Sequence, residues 1–231
     1  MELNISKTSI YCILTEHLGL REVCSRFVPH KLSDDQKLLR IQHSKDIIKE
    51  VKKDKNFLYN IVTGGETWCF QYYPMEKSNV KTMLICFYDS KGIVHKEFVP
   101  PGQNVNAVFY LKLLKRLVRR IRRVRPEYSE DESWRLLWSH RSTLVTDYLT
   151  KNHILTINHS PYSPDMAPCD FFLFGKMHLP MKGKRYADVE AVQKDCTDIL
   201  AAIPADELKH SFDMLLDRAK SCIEAEGDYF E

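Results

Sequence analysis

Val80-Lys-Thr-Met-Leu-Ile-Cys-Phe-Tyr-Asp89-Ser-Lys-Gly-Ile-Val-His-Lys-Glu-Phe-Val99 decides the fold. Val80 to Asp89 is dense in apolar residues, Ser90-Lys91-Gly92 is a turn signal, and Ile93 to Val99 alternates. That is a β-hairpin. Pro100, Pro101 and Gly102 end it. Upstream, the aromatic run Trp68 to Tyr73 reads as a further strand. Downstream, Tyr110, Leu114, Leu117, Ile121 and Val124 fall on one face of a helix. A short strand at Leu136 to Trp138, a helix near Thr143 to Lys151 and a strand at Ile154 to Ile157 follow. Strand, helix, strand implies a parallel pair with a crossover. Helices at about 187 to 202 and 205 to 226 close the chain. This order predicts an α/β fold: a ribonuclease-H-like mixed sheet with flanking helices, over residues 56–231.

Two smaller segments precede it. In residues 1–20, Ser6 is an N-cap, Ile10, Ile13, Leu14 and Leu18 share a helix face, and Gly19 is a stop signal. Residues 21–55 hold Val28-Pro29-His30 and then a polar helix from about Ser33 to Asp54. This segment reads as a linker whose helix can pack on the next domain.

The 231 residues are 44% hydrophobic, enough for one sizeable core and a small accessory region. The net charge of +3 says little. Its distribution says more: eight basic residues lie between Lys112 and Arg125 with no acid among them. Such a run reads either as a phosphate-binding surface or as the solvated face of an amphipathic helix. The seven cysteines are scattered and contain no C-x-x-C pair, which argues against a disulfide framework and a structural zinc site. A reducing compartment, nucleus or cytoplasm, is expected. No apolar run approaches the roughly 18 residues a bilayer span needs.

The stretch His159-Ser-Pro-Tyr-Ser-Pro-Asp-Met-Ala-Pro-Cys-Asp170 resembles the Tyr-Ser-Pro-Asp-Leu-Ala-Pro-Ser-Asp segment of mariner-family DNA transposases. Other segments resemble the family in the same order. Asn4 to Ile10 with Ile13-Leu14 is similar to the recognition helix of its second helix-turn-helix. Phe27-Val28-Pro29-His30 is similar to its Trp-Val-Pro-His linker motif, and Ile61 to Trp68 to its Thr-Gly-Asp-Glu strand. Several motifs in register make the resemblance specific.

The resemblance implies a site of three Asp residues that hold two divalent metals for phosphoryl transfer. Asp170 matches the third. Gly65 stands at the first, and the neighbouring Glu66 is expected to point to the opposite face of the strand. The second falls on Ser139, or on Arg135 if no gap is allowed. Asp147 is expected to face elsewhere. One carboxylate cannot hold two hard cations, so no tightly bound cofactor is expected, with Mg or Mn relevant only to residual activity. His153 and His159 are expected to be structural or solvent-facing, and Cys169 to be an unreactive small residue.

By the same resemblance, Lys7, Thr8, Ser9 and Tyr11 would approach a major groove. Arg21, Arg26, Lys112, Lys115, Arg116, Arg119, Arg120, Arg122 and Arg123 would contact phosphates. Phe27, Val28, Pro29 and His30 would make dimer contacts. The chain starts just before the matched recognition helix, so the family's first helix-turn-helix is expected to be missing. Its basic clamp insert is expected to be missing too, because Met75 leads almost directly to Val80. The expected partner is double-stranded DNA, with a homodimer as a second element, no membrane and no small-molecule substrate. The expected function is a transposase-derived DNA-binding protein without cleavage or strand transfer, a pseudoenzyme. The alternatives are an active metal-dependent nuclease or transposase, and a translated relic or protein-interaction module.

Overall fold

A computed structural model describes residues 30–72, 80–130, 134–139 and 142–230. The chain divides into two compact units, Met1–Lys31 and Leu32–Glu231, and the fold below is that of the second. The expected recognition helix, the residues Lys7, Thr8, Ser9, Tyr11, Arg21, Arg26, Phe27, Val28 and Pro29, and the shortened connection at 73–79 lie outside the described residues. His30 is exposed.

Helix α1 spans Asp34–Lys53. Ser33 accepts from the Gln36 amide and the Gln36 side chain accepts from the Ser33 amide, a reciprocal cap that fixes the first turn. Asp34 and Asp35 open the helix and Lys52 and Lys53 close it, matching the helix dipole. Strands β1 (Ile61–Phe70), β2 (Lys81–Asp89) and β3 (Gly92–Phe98) form an antiparallel meander. Gly92 turns the hairpin at a φ of 145°, a conformation only glycine adopts freely. Helix α2 spans Ala107–Val124, with the Asn106 side chain accepting from the Phe109 amide. A short α3 (Glu127–Glu130) leads to β4 (Arg135–Leu137). Helix α4 (Thr143–Lys151) then crosses to β5 (Leu155–Ile157).

The sheet order is β3-β2-β1-β4-β5, with β4 and β5 parallel to β1. This is the mixed ribonuclease-H-like sheet expected from the sequence. A tight segment follows β5: 3-10 turns at Pro164–Met166 and Leu179–Met181 bracket a π-turn (Cys169–Leu173) and α5 (Phe174–His178). Helices α6 (Val189–Ala202) and α7 (Ala205–Glu224) complete the unit.

The sheet is buried on both faces. Along β2, Leu84, Cys86 and Tyr88 join the core under α1, α6 and α7, while Ile85 and Phe87 join the core under α2 and α4. That explains why β2 reads as a continuous apolar run and not as an alternation. Helix α1 packs along α7, through a polar face that includes Arg40, His43 and Ser44. The Arg40 guanidinium donates to both carboxylate oxygens of Asp165 (2.8 and 2.6 Å), to Ser163 Oγ (2.7 Å) and to the carbonyls of Gly227 and Asp228. The Asp of the Ser-Pro-Asp motif is thus clasped to α1 and to the C-terminal turn. The apolar positions of α1 alone did not reveal this contact.

Candidate functional site

Strand β4 stops where Leu137 pairs with Thr63. Beyond that level β1 has no neighbour on this side, and a small cavity of about 40 Å³ opens. Thr63, Gly64, Gly65 and Glu66 come from β1, and Leu137, Trp138 and Ser139 from the end of β4. His159 enters after β5, and Ala167 and Asp170 from the segment carrying the π-turn. The sequence-predicted trio of Gly65, Ser139 and Asp170 is therefore brought together. Arg135 is not: it begins β4 opposite Ile61, with its guanidinium 5.0 Å from the Phe57 ring centroid. Asp147 is exposed on α4.

His159, expected to be structural or solvent-facing, is half-buried and lines this cavity. Glu66 leaves β1 on the face opposite to Gly65, as expected, but with β4 ended the cavity takes in residues from both sides of β1. Glu66 is held there by Tyr110, whose hydroxyl donates to Oε1 at 2.9 Å. Burial and the Glu66 charge both raise the Tyr110 pKa, so the phenol stays a donor. Tyr110 packs edge-on against Trp138 and Trp138 against Phe87, which gives this side of the cavity a rigid aromatic wall.

The Gly65 position is closed. A Cβ there would lie 2.8 Å from Cys169 Cβ and 3.1 Å from the Phe174 ring. The segment carrying Asp170 has settled into the space a side chain would need. Asp170 keeps an exposed edge. Protein packed around its carboxyl removes solvent and pushes its pKa up to about 7, with the Glu66 charge as the second cause. Cys169 is buried and its pKa is raised well above normal by that burial, so it stays a thiol, as expected. His178 accepts or shares a proton with Thr67 Oγ1 at 2.9 Å, and burial lowers its pKa.

The basic residues of α2 separate into classes that the sequence could not distinguish. Lys112, Lys115, Arg119, Arg122 and Arg123 are exposed. Arg116 forms a two-point ion pair with Glu97 of β3 (2.9 and 2.5 Å). Burial opposes ionisation of Glu97, but His95 and Arg116 hold its pKa down at about 2. Arg120 Nε donates to the Val94 carbonyl at 3.4 Å. Arg125, just past the helix, grips the fully buried Asp89 at 2.7 and 3.0 Å, and Tyr128 donates to the same carboxylate. It serves the hairpin turn.

A family model described as a transposase with a partial DDE domain matches residues 73–130. The Mariner Mos1 transposase of Drosophila mauritiana is 29% identical over 254 residues, covering 100% of this chain and 73% of that protein. The crystal structure of the Mos1 catalytic domain superposes with a TM-score of 0.81 at 31% identity, over 89% of this chain and all of that one. The chain belongs to the mariner transposase family. A Mos1 paired-end complex with the left transposon end matches at a TM-score of 0.80 and 28% identity, over 98% of this chain and 72% of that one. Catalytic-domain structures of Mos1 with Mn and with Mg share the fold.

The residues of this mariner-family chain do not fit a two-metal centre. Gly65 offers no donor and has no room for one, Ser139 offers a neutral hydroxyl, and Asp170 is left as the one carboxylate at the three family positions. Among the described residues, no group of three His, Cys, Asp or Glu side chains is placed to bind a metal ion. Hard divalent cations need several oxygen ligands in fixed geometry.

Proposed function

We propose that this mariner-family chain binds double-stranded DNA without cleaving it or transferring strands. The observation that carries this reading is the cavity between β1 and β4, where Asp170 alone stands at a family carboxylate position and Cys169 closes the Gly65 site. Residues that act as a unit in phosphoryl transfer fail as a unit, so loss of two ligands removes the chemistry. The scaffold around the site is retained: a continuous cluster of buried apolar residues covers each face of the sheet. Five exposed basic side chains of α2 supply the electrostatic attraction to phosphate. The Mos1 complex with a transposon end supports DNA as the partner, and its paired ends support a homodimer. A nuclear location belongs to the same proposal.

Fluorescence anisotropy tests it, with one duplex carrying a mariner terminal repeat and one a scrambled sequence, each titrated across a salt series. Tighter binding to the repeat supports specific recognition, and equal salt-sensitive binding supports a phosphate surface alone. No binding at low salt refutes the proposal. Strand cleavage of either duplex in Mg or Mn refutes its second half.

A further inference from the structure

The exposed side chains of α2 fall on more than one line, and one line borders an open groove against the sheet edge. Arg116, Arg119, Arg120 and Arg123 recur at i, i+3, i+4 and i+7, which is one helix face. They face Ile93 to Lys96 of β3, the edge strand, across a groove of about 700 Å³. Its charge is one-sided: four arginines line it, against the single Glu97 carboxylate paired with Arg116, while the Lys96 ammonium is turned to the other face of the sheet, where it donates to Thr197. Arg116 and Arg120 are already committed, to Glu97 and to the Val94 carbonyl. Among the described residues, Arg119 and Arg123 form no ion pair with a carboxylate, and Arg119 Nε donates only to the Lys115 carbonyl of its own helix, at 3.2 Å. Both are exposed.

We propose that this β3–α2 groove, not the outer line of α2 that carries Lys115 and Arg122, is the surface that tracks the phosphate backbone of duplex DNA. The inference rests on the DNA-binding reading and adds the place of contact. Arg116 to Arg123 spans seven residues, about 10 Å along a helix that rises 1.5 Å per residue. Phosphates of one strand advance about 3.4 Å along the duplex axis, so the groove matches about three of them. Arg116 and Arg120 tie the helix to β3, and the exposed Arg119 and Arg123 present charge to the ligand. Such contacts carry no base readout, so the groove binds any sequence alike. It lies on the opposite side of β1 from the cavity, separated by β2.

The test compares the wild-type chain with Arg119→Gln/Arg123→Gln and Lys115→Gln/Arg122→Gln on a labelled duplex between 50 and 200 mM salt. All four positions are exposed, and matching thermal melts confirm that both variants fold. Each lost phosphate contact lowers the slope of log K against log salt by about 0.9. The groove variant is expected to lose about 1.8 from the slope. Over this salt range its affinity then falls about 12-fold less than that of wild type. The outer variant is expected to keep its slope. An unchanged slope in the groove variant, or an equal loss in the outer variant, overturns the groove while leaving DNA binding intact. A wild-type chain that binds no duplex, or binds poly-glutamate in its place, overturns the DNA reading and the groove with it.

Discussion

Restoring the missing carboxylates tests whether the cavity lost only its ligands or also its shape. In Gly65→Ala the single added methyl meets Cys169 Cβ at 2.8 Å and the Phe174 ring at 3.1 Å. Neither obstacle is the free end of a flexible chain: Cys169 is fully buried and Phe174 nearly so. Overpacking of this kind costs about 1–3 kcal/mol, which for a folded unit of this size is a fall of about 2 to 12 °C in Tm. Gly65→Asp carries the same steric cost and adds a carboxylate to a buried position near Asp170 and Glu66. Like charges and desolvation push it toward the neutral form, so Asp is expected to be less stable than Ala. The assay is thermal unfolding of wild type, Gly65→Ala, Gly65→Asp and Gly65→Asp/Ser139→Asp, each with and without millimolar Mn. A restored metal site would show as a Tm that climbs with Mn, because a ligand that binds only the folded state stabilises it. We expect no Mn-dependent rise and no strand cleavage. The packing argument is refuted if Gly65→Asp is as stable as wild type, or if the double variant gains stability from Mn.

Three further outcomes are expected. Asp170 has its folded pKa raised to about 7, so its contribution is full below its ordinary pKa and is lost as pH rises through 7. Asp170→Asn should therefore gain on wild type between pH 5 and pH 8, by about 1–2 kcal/mol once solvent screening at its exposed edge is allowed for; equal urea midpoint differences at the two pH values would sink this. Arg40→Met leaves the Asp165 carboxylate without its two-point partner, and breaking such a buried pair costs about 3–5 kcal/mol. A loss under about 1 kcal/mol in chemical denaturation would show that the clasp is dispensable. Arg125→Met removes the partner of the buried Asp89 and should destabilise by a similar amount, whereas Arg122→Met should leave the melting curve unchanged. Equal effects would mean that the basic run is uniform.

The secondary structure was legible because local signals and packing agree in this chain. Ser33 and Asp54 mark α1 to the residue, Ser90-Lys91-Gly92 marks the hairpin, and Thr143–Lys151 is the expected crossover helix. The strands β4 and β5 each sit within one residue of their expected bounds. The segment after β5 was not resolved into its turns, because Pro164, Pro168 and Pro180 hide short 3-10 and π geometry from any periodic pattern. Tertiary partners were also hidden. Arg40 reads as one more charge on a polar helix until Asp165, 125 residues away, is placed beside it. That Glu66 and His159 both border the cavity was hidden for a related reason. Strand alternation tells which way a side chain leaves the sheet, but not where the neighbouring strand ends. Neither the separation of Arg116 and Arg125 from Arg119 and Arg123 nor the groove they border leaves any trace in the run of basic letters. It depends on where Glu97 and Asp89 lie.

The clasp between α1 and the C-terminal turn also bears on the order of folding. Arg40 and its acceptor at Gly227 are 187 residues apart. On a ribosome adding 5–20 residues per second, α1 waits on the order of 10 to 40 s before its partner exists. Nearly the whole sheet can form in that interval, and this long-range closure comes last. A helix that waits in water is safer if the surface it will bury is polar. Arg40, His43 and Ser44 provide that, where a stripe of leucines would invite association with other nascent chains. Only the second half of α1 adds apolar surface, through Ile47, Ile48 and Val51, so the polar first half limits what the waiting helix offers to aggregation.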